Sequence, residues 1–265
     1  MKKTLIALAV AASAVVSCSA MASGWEQNGH GASVEIGGTL TPVVKVTPWE
    51  VKTGDAVTNL DAQIQKGQTS VTVSVNQAIP VLGIRTQTTD VFQGSAGISP
   101  QVDYGGAIDV NGFSAGVTTL TLDVTDANGG KMGTMSAPFL AGAAVSRTGA
   151  NQDAYSAYVY DGYNVSSFEG GLGDSTEKVL PDLATVISRV GALDSGFTAN
   201  FNQQGVDGGG VWRSTPFENT RTQYSGFYGS GIESGSKIVI TLDTAVSGDG
   251  EIAWKASLPV TVTYM

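Results

Sequence analysis

Residues 252–265 constrain this chain more than any other stretch. Every second position carries an apolar side chain: Ile252, Trp254, Ala256, Leu258, Val260, Val262 and Tyr264. On the other phase only Ala253 and Met265 are apolar. A period of two held over seven steps predicts one long strand with a single apolar face. Such a face must be covered by a second layer. A matching alternation, Ala32, Val34, Ile36, Gly38 and Leu40, lies near the other end of the chain. Two long alternating strands at opposite ends suggest assembly ahead of chemistry.

Residues 1–22 read as a secretory leader. Lys2 and Lys3 precede an apolar run, and the small residues of Ala20-Met21-Ala22 form a cleavage site. The run is short for a membrane span. The single cysteine, Cys18, offers a rival reading, because Val15-Val16-Ser17-Cys18 loosely resembles a lipoprotein box. Cleavage after Ala22 would leave an exported chain with no cysteine, stabilised without disulfides.

The chain of 265 residues is long enough for one large or two small domains with a real core. Its formal charge is −9 with 14% charged residues, so the Lys and Arg clusters that phosphate binding needs are lacking and nucleic acid is a poor partner. The 35 glycines, with Val and Thr recurring, describe an all-β chain with many turns.

Alternating strands are predicted over residues 70–75, 118–124 and 237–242. Asp126-Ala127-Asn128-Gly129-Gly130 is a strong turn signal after the second of these. The turn at Ser247-Gly248-Asp249-Gly250 is expected to fold the third into a hairpin with the terminal strand. Strands at this spacing argue for a sandwich. Residues 146–215 differ: Tyr155, Tyr158, Tyr160 and Tyr163 crowd together, and a helix is predicted with Pro181 at its first position, Leu183, Ile187 and Val190 on one face, and Gly191 at its end. A helix with aromatic loops between sandwich strands reads as an insertion.

Catalytic signals are missing. His30 is the only histidine and the cleaved chain would have no cysteine, so nothing points to a nucleophile–histidine pair of the hydrolase kind, and a His/Cys metal site cannot be assembled. Gly170-Gly171-Leu172-Gly173 lacks the lysine of a phosphate loop. Asp126-Ala127-Asn128-Gly129 has Val124 where a calcium loop needs an upstream acid, so a hairpin turn explains it. No carboxylate pair is singled out for a glycosidase. The expectation is a non-enzyme with no metal and no cofactor.

Val34-Glu35-Ile36-Gly37-Gly38-Thr39-Leu40, the Trp49 region, Ile79-Pro80-Val81-Leu82-Gly83-Ile84-Arg85-Thr86, the helix within residues 180–190 and the ending Leu258-Pro259-Val260-Thr261-Val262-Thr263-Tyr264-Met265 together resemble the kappa-class subunits of chaperone–usher fimbriae. The resemblance implies an incomplete immunoglobulin-like sandwich, residues 42–265, completed by donor-strand exchange with an N-terminal extension, residues 23–41, of the next subunit. It implies that Ala32, Val34, Ile36 and Leu40 insert, with Gly38 where only a small residue fits. It also implies a periplasmic chaperone pairing with the face of Trp254, Leu258, Val260, Val262 and Tyr264, an outer-membrane usher, neighbouring subunits as partners, and export through the periplasm to the cell surface. Within that family the inserted region can bind a receptor. Tyr155, Tyr158, Tyr160 and Tyr163 with Trp212 are therefore the candidates for a host glycan, although the divergent insertion leans toward a minor structural subunit. The competing reading is a carbohydrate-binding module or lectin that folds as a self-contained monomer.

Overall fold

A computed structural model describes residues 25, 27–28, 34, 36–41, 46–149, 154–162, 166–206 and 210–265. The chain divides into two units, residues 1–45 and 46–265. In the first, no described residue belongs to a strand or helix.

The second unit is built from β1 (Trp49–Thr53), β2 (Ser70–Ser74), β3 (Ile79–Thr86), β4 (Phe92–Gln93), β5 (Pro100–Asp103), β6 (Val117–Thr125), β7 (Lys131–Gly149), β8 (Tyr155–Tyr160), the helix α1 (Leu183–Leu193), β9 (Gly210–Arg213), β10 (Thr222–Ile232), β11 (Lys237–Leu242), β12 (Lys255–Ala256) and β13 (Thr261–Tyr264). It is an all-β fold with one α-helix among the described residues.

The long strand β7 organises the main sheet. One of its edges pairs first with β11 and then with β10. The other pairs with β6 and then with β8. β10 carries the sheet on to β3, and β3 to β1. The β6–β7 hairpin forms where the turn signal lies: the Asp126 carboxylate accepts from the Asn128 and Gly130 amides at 2.8 and 2.9 Å, and Gly129 adopts φ +84°. The first core lies beneath this sheet and includes Trp49, Leu82, Ile84, Phe139 and Tyr228. The Trp49 indole N–H donates to the Ile98 carbonyl at 2.7 Å.

A second core lies under α1, where Val186, Val190, Leu193 and Phe197 meet Leu140, Ala144 and Phe227. The helix can approach because the strands beneath it are small-sided. A Cβ at Gly229 would overlap Val190, and one at Gly83 would overlap the Phe197 ring. The helix begins two residues later than its sequence suggests. Asp182 is its N-cap, with the carboxylate accepting from the Thr185 amide at 2.7 Å, so Pro181 precedes the helix. It also runs past Gly191 to Leu193, because Leu193 is buried in the second core.

Two expectations about the terminal segment need correction. β11 does not form a hairpin with it: both edges of β11 are already taken, by β7 and β2. The terminal strand is also not continuous. β12 pairs with β6 and β13 with β5, and the chain changes neighbour across residues 257–260. Pro259 sits at that change, where it has no amide to give a ladder. Its ring rests over Gly105, at which a Cβ would approach Pro259 Cγ to 2.8 Å.

Candidate assembly groove

The side-chain alternation of the terminal segment survives the break in its ladder. From Trp254 to Tyr264 each even-numbered residue is half-buried and each odd-numbered one exposed. Trp254, Ala256, Leu258, Val260, Val262 and Tyr264 all pack against the first core, yet none reaches full burial. Ile252 falls outside this pattern, at 41% exposure. An apolar face lying on a core but half covered leaves its open side accessible to a further layer.

A second segment faces the same core. Residues 55–66 form no strand, and only Leu60 and Ile64 among them are partly buried, both against the first core. The stretch 47–68, which contains β1 and this segment, is joined near its two ends to residues 246–264 in antiparallel order. At one end the Thr47 side chain hydrogen-bonds the Tyr264 phenol, whose pKa burial raises and that bond lowers. At the other, the Gly67 amide donates to the Val246 carbonyl at 2.8 Å, the Val246 amide donates to the Gln68 carbonyl at 3.1 Å, and Lys66 pairs with Asp249. Between these ties, no backbone hydrogen bond joins residues 55–66 to residues 250–264 among the described residues. Both segments thus pack on the first core without a backbone ladder between them, and unpaired strand edges are ones that ordinary sheets avoid exposing.

The other candidate residues fall elsewhere. Val34, Ile36 and Leu40 are 84%, 96% and 97% exposed, and Gly38 is exposed too. Ala32, His30, Cys18 and residues 1–22 lie outside the described residues. The tyrosines do not form one patch. Tyr155 is buried and stacks on Trp212, ring centroids 4.7 Å apart and nearly parallel, with the Arg147 guanidinium 4.4 Å from the Tyr155 ring. Burial raises the Tyr155 pKa, against the lowering effect of Arg147. Tyr158 and Tyr160 point to the opposite face of β8, where Tyr158 packs against the second core beside α1. Tyr163 lies outside the described residues. Trp212, 40% exposed, is the accessible ring of the stacked pair. Among the described residues no group of three acidic, histidine or cysteine side chains could hold a metal. Among the described residues no helix is long and apolar enough to cross a membrane.

The wall formed by residues 55–66 escaped the sequence reading. Leu60, Ala62 and Ile64 alternate with Asp61 and Gln63, but the period of two lasts only three steps and its middle member is an exposed alanine, so the signal is weak.

A family model described as "Fimbrial, major and minor subunit" matches residues 1–265. The F41 fimbrial protein of Escherichia coli is 30% identical, with both chains covered in full. The K88 fimbrial proteins AC and AB of Escherichia coli are each 31% identical, again over the whole of both chains. The chain therefore belongs to the family of major and minor fimbrial subunits, structural proteins of a surface fimbrium rather than enzymes.

Proposed function

We propose that this subunit polymerises by donor-strand exchange, with the strip between residues 55–66 and 254–264 as the acceptor groove. The donor is the extension of the next copy, residues 23–41. The observation that carries the reading is the half-burial of every apolar residue from Trp254 to Tyr264 beside a second wall with unpaired backbone.

The dimensions suit it. The donor run from Ala32 to Leu40 spans roughly 30 Å when extended, and the terminal wall from Trp254 to Tyr264 roughly 36 Å. Val34, Ile36 and Leu40, almost fully exposed in the isolated chain, would each gain about 1.5–3 kcal/mol on burial. Together they approach the whole stability of a typical domain, about 5–15 kcal/mol. Insertion is then close to irreversible, as a fibre requires. Gly38 would sit where the groove accepts only a small residue. A subunit carrying both a donor and a groove makes a head-to-tail contact that does not close, and so propagates a filament. Before assembly, a periplasmic chaperone strand covers Trp254, Leu258, Val260, Val262 and Tyr264, and the outer-membrane usher exchanges it for the donor.

Adhesion to a host glycan is assigned to the exposed face of Trp212, the accessible ring of the stacked pair. The test of the assembly reading is the multimer ladder of the exported chain. Ile36→Asp should abolish it while leaving the melting temperature of the monomer unchanged. A normal ladder from that variant would rule out residues 32–40 as the donor.

A further inference from the structure

β13 and β5 are two strands of a narrower ladder that continues beyond them. Along one edge β5 pairs with β13, and the Ser99 and Met265 backbones exchange two hydrogen bonds of 3.1 Å. Along its other edge the Phe168 amide donates to the Pro100 carbonyl at 2.6 Å and the Val102 amide to the Glu169 carbonyl at 2.9 Å. The Gln101 side-chain amide adds a bond to the Ser166 carbonyl at 2.7 Å. The order across the ladder is therefore open edge, β13, β5, residues 166–169.

Residues 166–171 in turn hold the ends of the two strands that carry Tyr155 and Trp212. Ser166 Oγ donates to the Asp161 carboxylate at 2.9 Å and accepts from the Gly162 amide at 3.1 Å, just beyond β8. The Gly170 amide donates to the same carboxylate at 3.2 Å. Ser167 and Ser214 exchange bonds with the chain just beyond β9: Ser167 Oγ donates to the Thr215 carbonyl at 2.8 Å, and Ser214 Oγ to the Ser167 carbonyl at 2.7 Å. A buried hydroxyl chain runs alongside. Tyr104, immediately after β5, shares its hydroxyl with Tyr228 at 2.8 Å and Ser230 at 2.6 Å, and Tyr228 donates to the Gly171 carbonyl at 3.1 Å.

We propose that filling the acceptor groove stiffens residues 166–171 and, through them, the β8–β9 pair that presents Trp212, so that assembly conditions the outer surface of the subunit. This rests on the donor-strand reading of the groove. The physical reason is the position of β13. With one edge open it is the outermost strand of a short ladder, and such edges open locally at low cost. A strand added at that edge makes β13 interior, and β5 and residues 166–169 can then no longer fray with it. The two sites are coupled through one element whose opening both oppose.

The experiment is amide hydrogen exchange on the full exported chain at low concentration, with and without an excess of a synthetic peptide of residues 30–41. The expected result is slower exchange in residues 258–264 together with at least about tenfold slowing at Phe168, Gly170 and Gly171. Gln101→Ala should weaken the second effect and leave the first intact. Protection confined to residues 258–264 would overturn the coupling while sustaining the groove. Protection at neither place would overturn the groove reading, and the coupling with it.

Discussion

Two apolar surfaces of this molecule differ in who covers them. The face of β7, β10 and β3 beneath α1 is closed by its own chain: Val186, Val190, Phe197 and Phe227 are all at or near zero exposure. The face from Trp254 to Tyr264 is just as regular in sequence but stays half-covered along its length. The first shows what the chain does with apolar surface it can satisfy by itself. The second, on the donor-strand proposal, is the surface that a strand from the next subunit covers. Stability should therefore reside under the helix, and assembly at the terminal segment.

Variants can separate the two. The largest effect expected is on assembly. Val260→Asp should eliminate multimers, yet lower the stability of the isolated subunit less than any truncation under α1, as read by gel ladders and thermal melts. Next in size, Phe197→Ala should cost about 3–5 kcal/mol, read from the denaturant midpoint, since it empties a fully buried ring site. Gly229→Val should cost about 1–3 kcal/mol by driving Val190 and the helix off the sheet. If either proved neutral, the second core would not be the seat of stability. A smaller effect is expected in alkali. Burial holds the Tyr228 phenol at about 12 and Tyr104 well above its ordinary value. The unfolded phenols ionise near about 10, so above that pH the unfolded state binds fewer protons than the native one. Their contribution is full below pH ~10 and is lost as pH rises toward ~12. Melting temperature against pH should fall across that window, and Tyr228→Phe should flatten the fall. The smallest effect belongs to the helix cap. Asp182 is held below the usual carboxylate range by the Thr185 amide and hydroxyl. Its contribution is present above the unfolded carboxylate pKa and fades as pH falls below it, so Asp182→Ala should lower the melting temperature slightly at neutral pH and not at strongly acidic pH.

The strands with clean alternation were legible in the sequence. β11 spans the predicted residues, β2 ends one residue short of its own, and β6 runs one residue further at each end. The turn at Asp126 was legible because a carboxylate and two glycines have few other uses at that spacing. β10 was not. Its Ser225-Gly226-Phe227-Tyr228-Gly229-Ser230-Gly231 shows no apolar alternation, and its glycines are explained only by packing: α1 takes the space of a Cβ at Gly229, Gly226 lies against Ala144 and Trp49, and Gly231 against the β3 backbone. The hairpin between β11 and the terminal segment failed for a related reason: which edges of a strand are free depends on distant partners, here β2 and β7. One wall of the groove was legible as alternating residues 254–264. The other, residues 55–66, was not, because its alternation is confined to Leu60, Ala62 and Ile64, too short to stand out. The aromatic candidates were legible as residue types and not as a surface, since alternation along β8 sends Tyr155 and Tyr158 to opposite faces.

The most direct test of the central claim compares the thermal stability of two forms of the exported chain. One lacks residues 23–41. The other carries those residues after Met265 through a flexible linker, so that the chain can fill its own groove. Donor-strand completion predicts that the first melts low or aggregates and that the second is a monomer melting far higher. Equal melting of the two would contradict it, and would mean that the half-covered face from Trp254 to Tyr264 awaits no strand from residues 23–41.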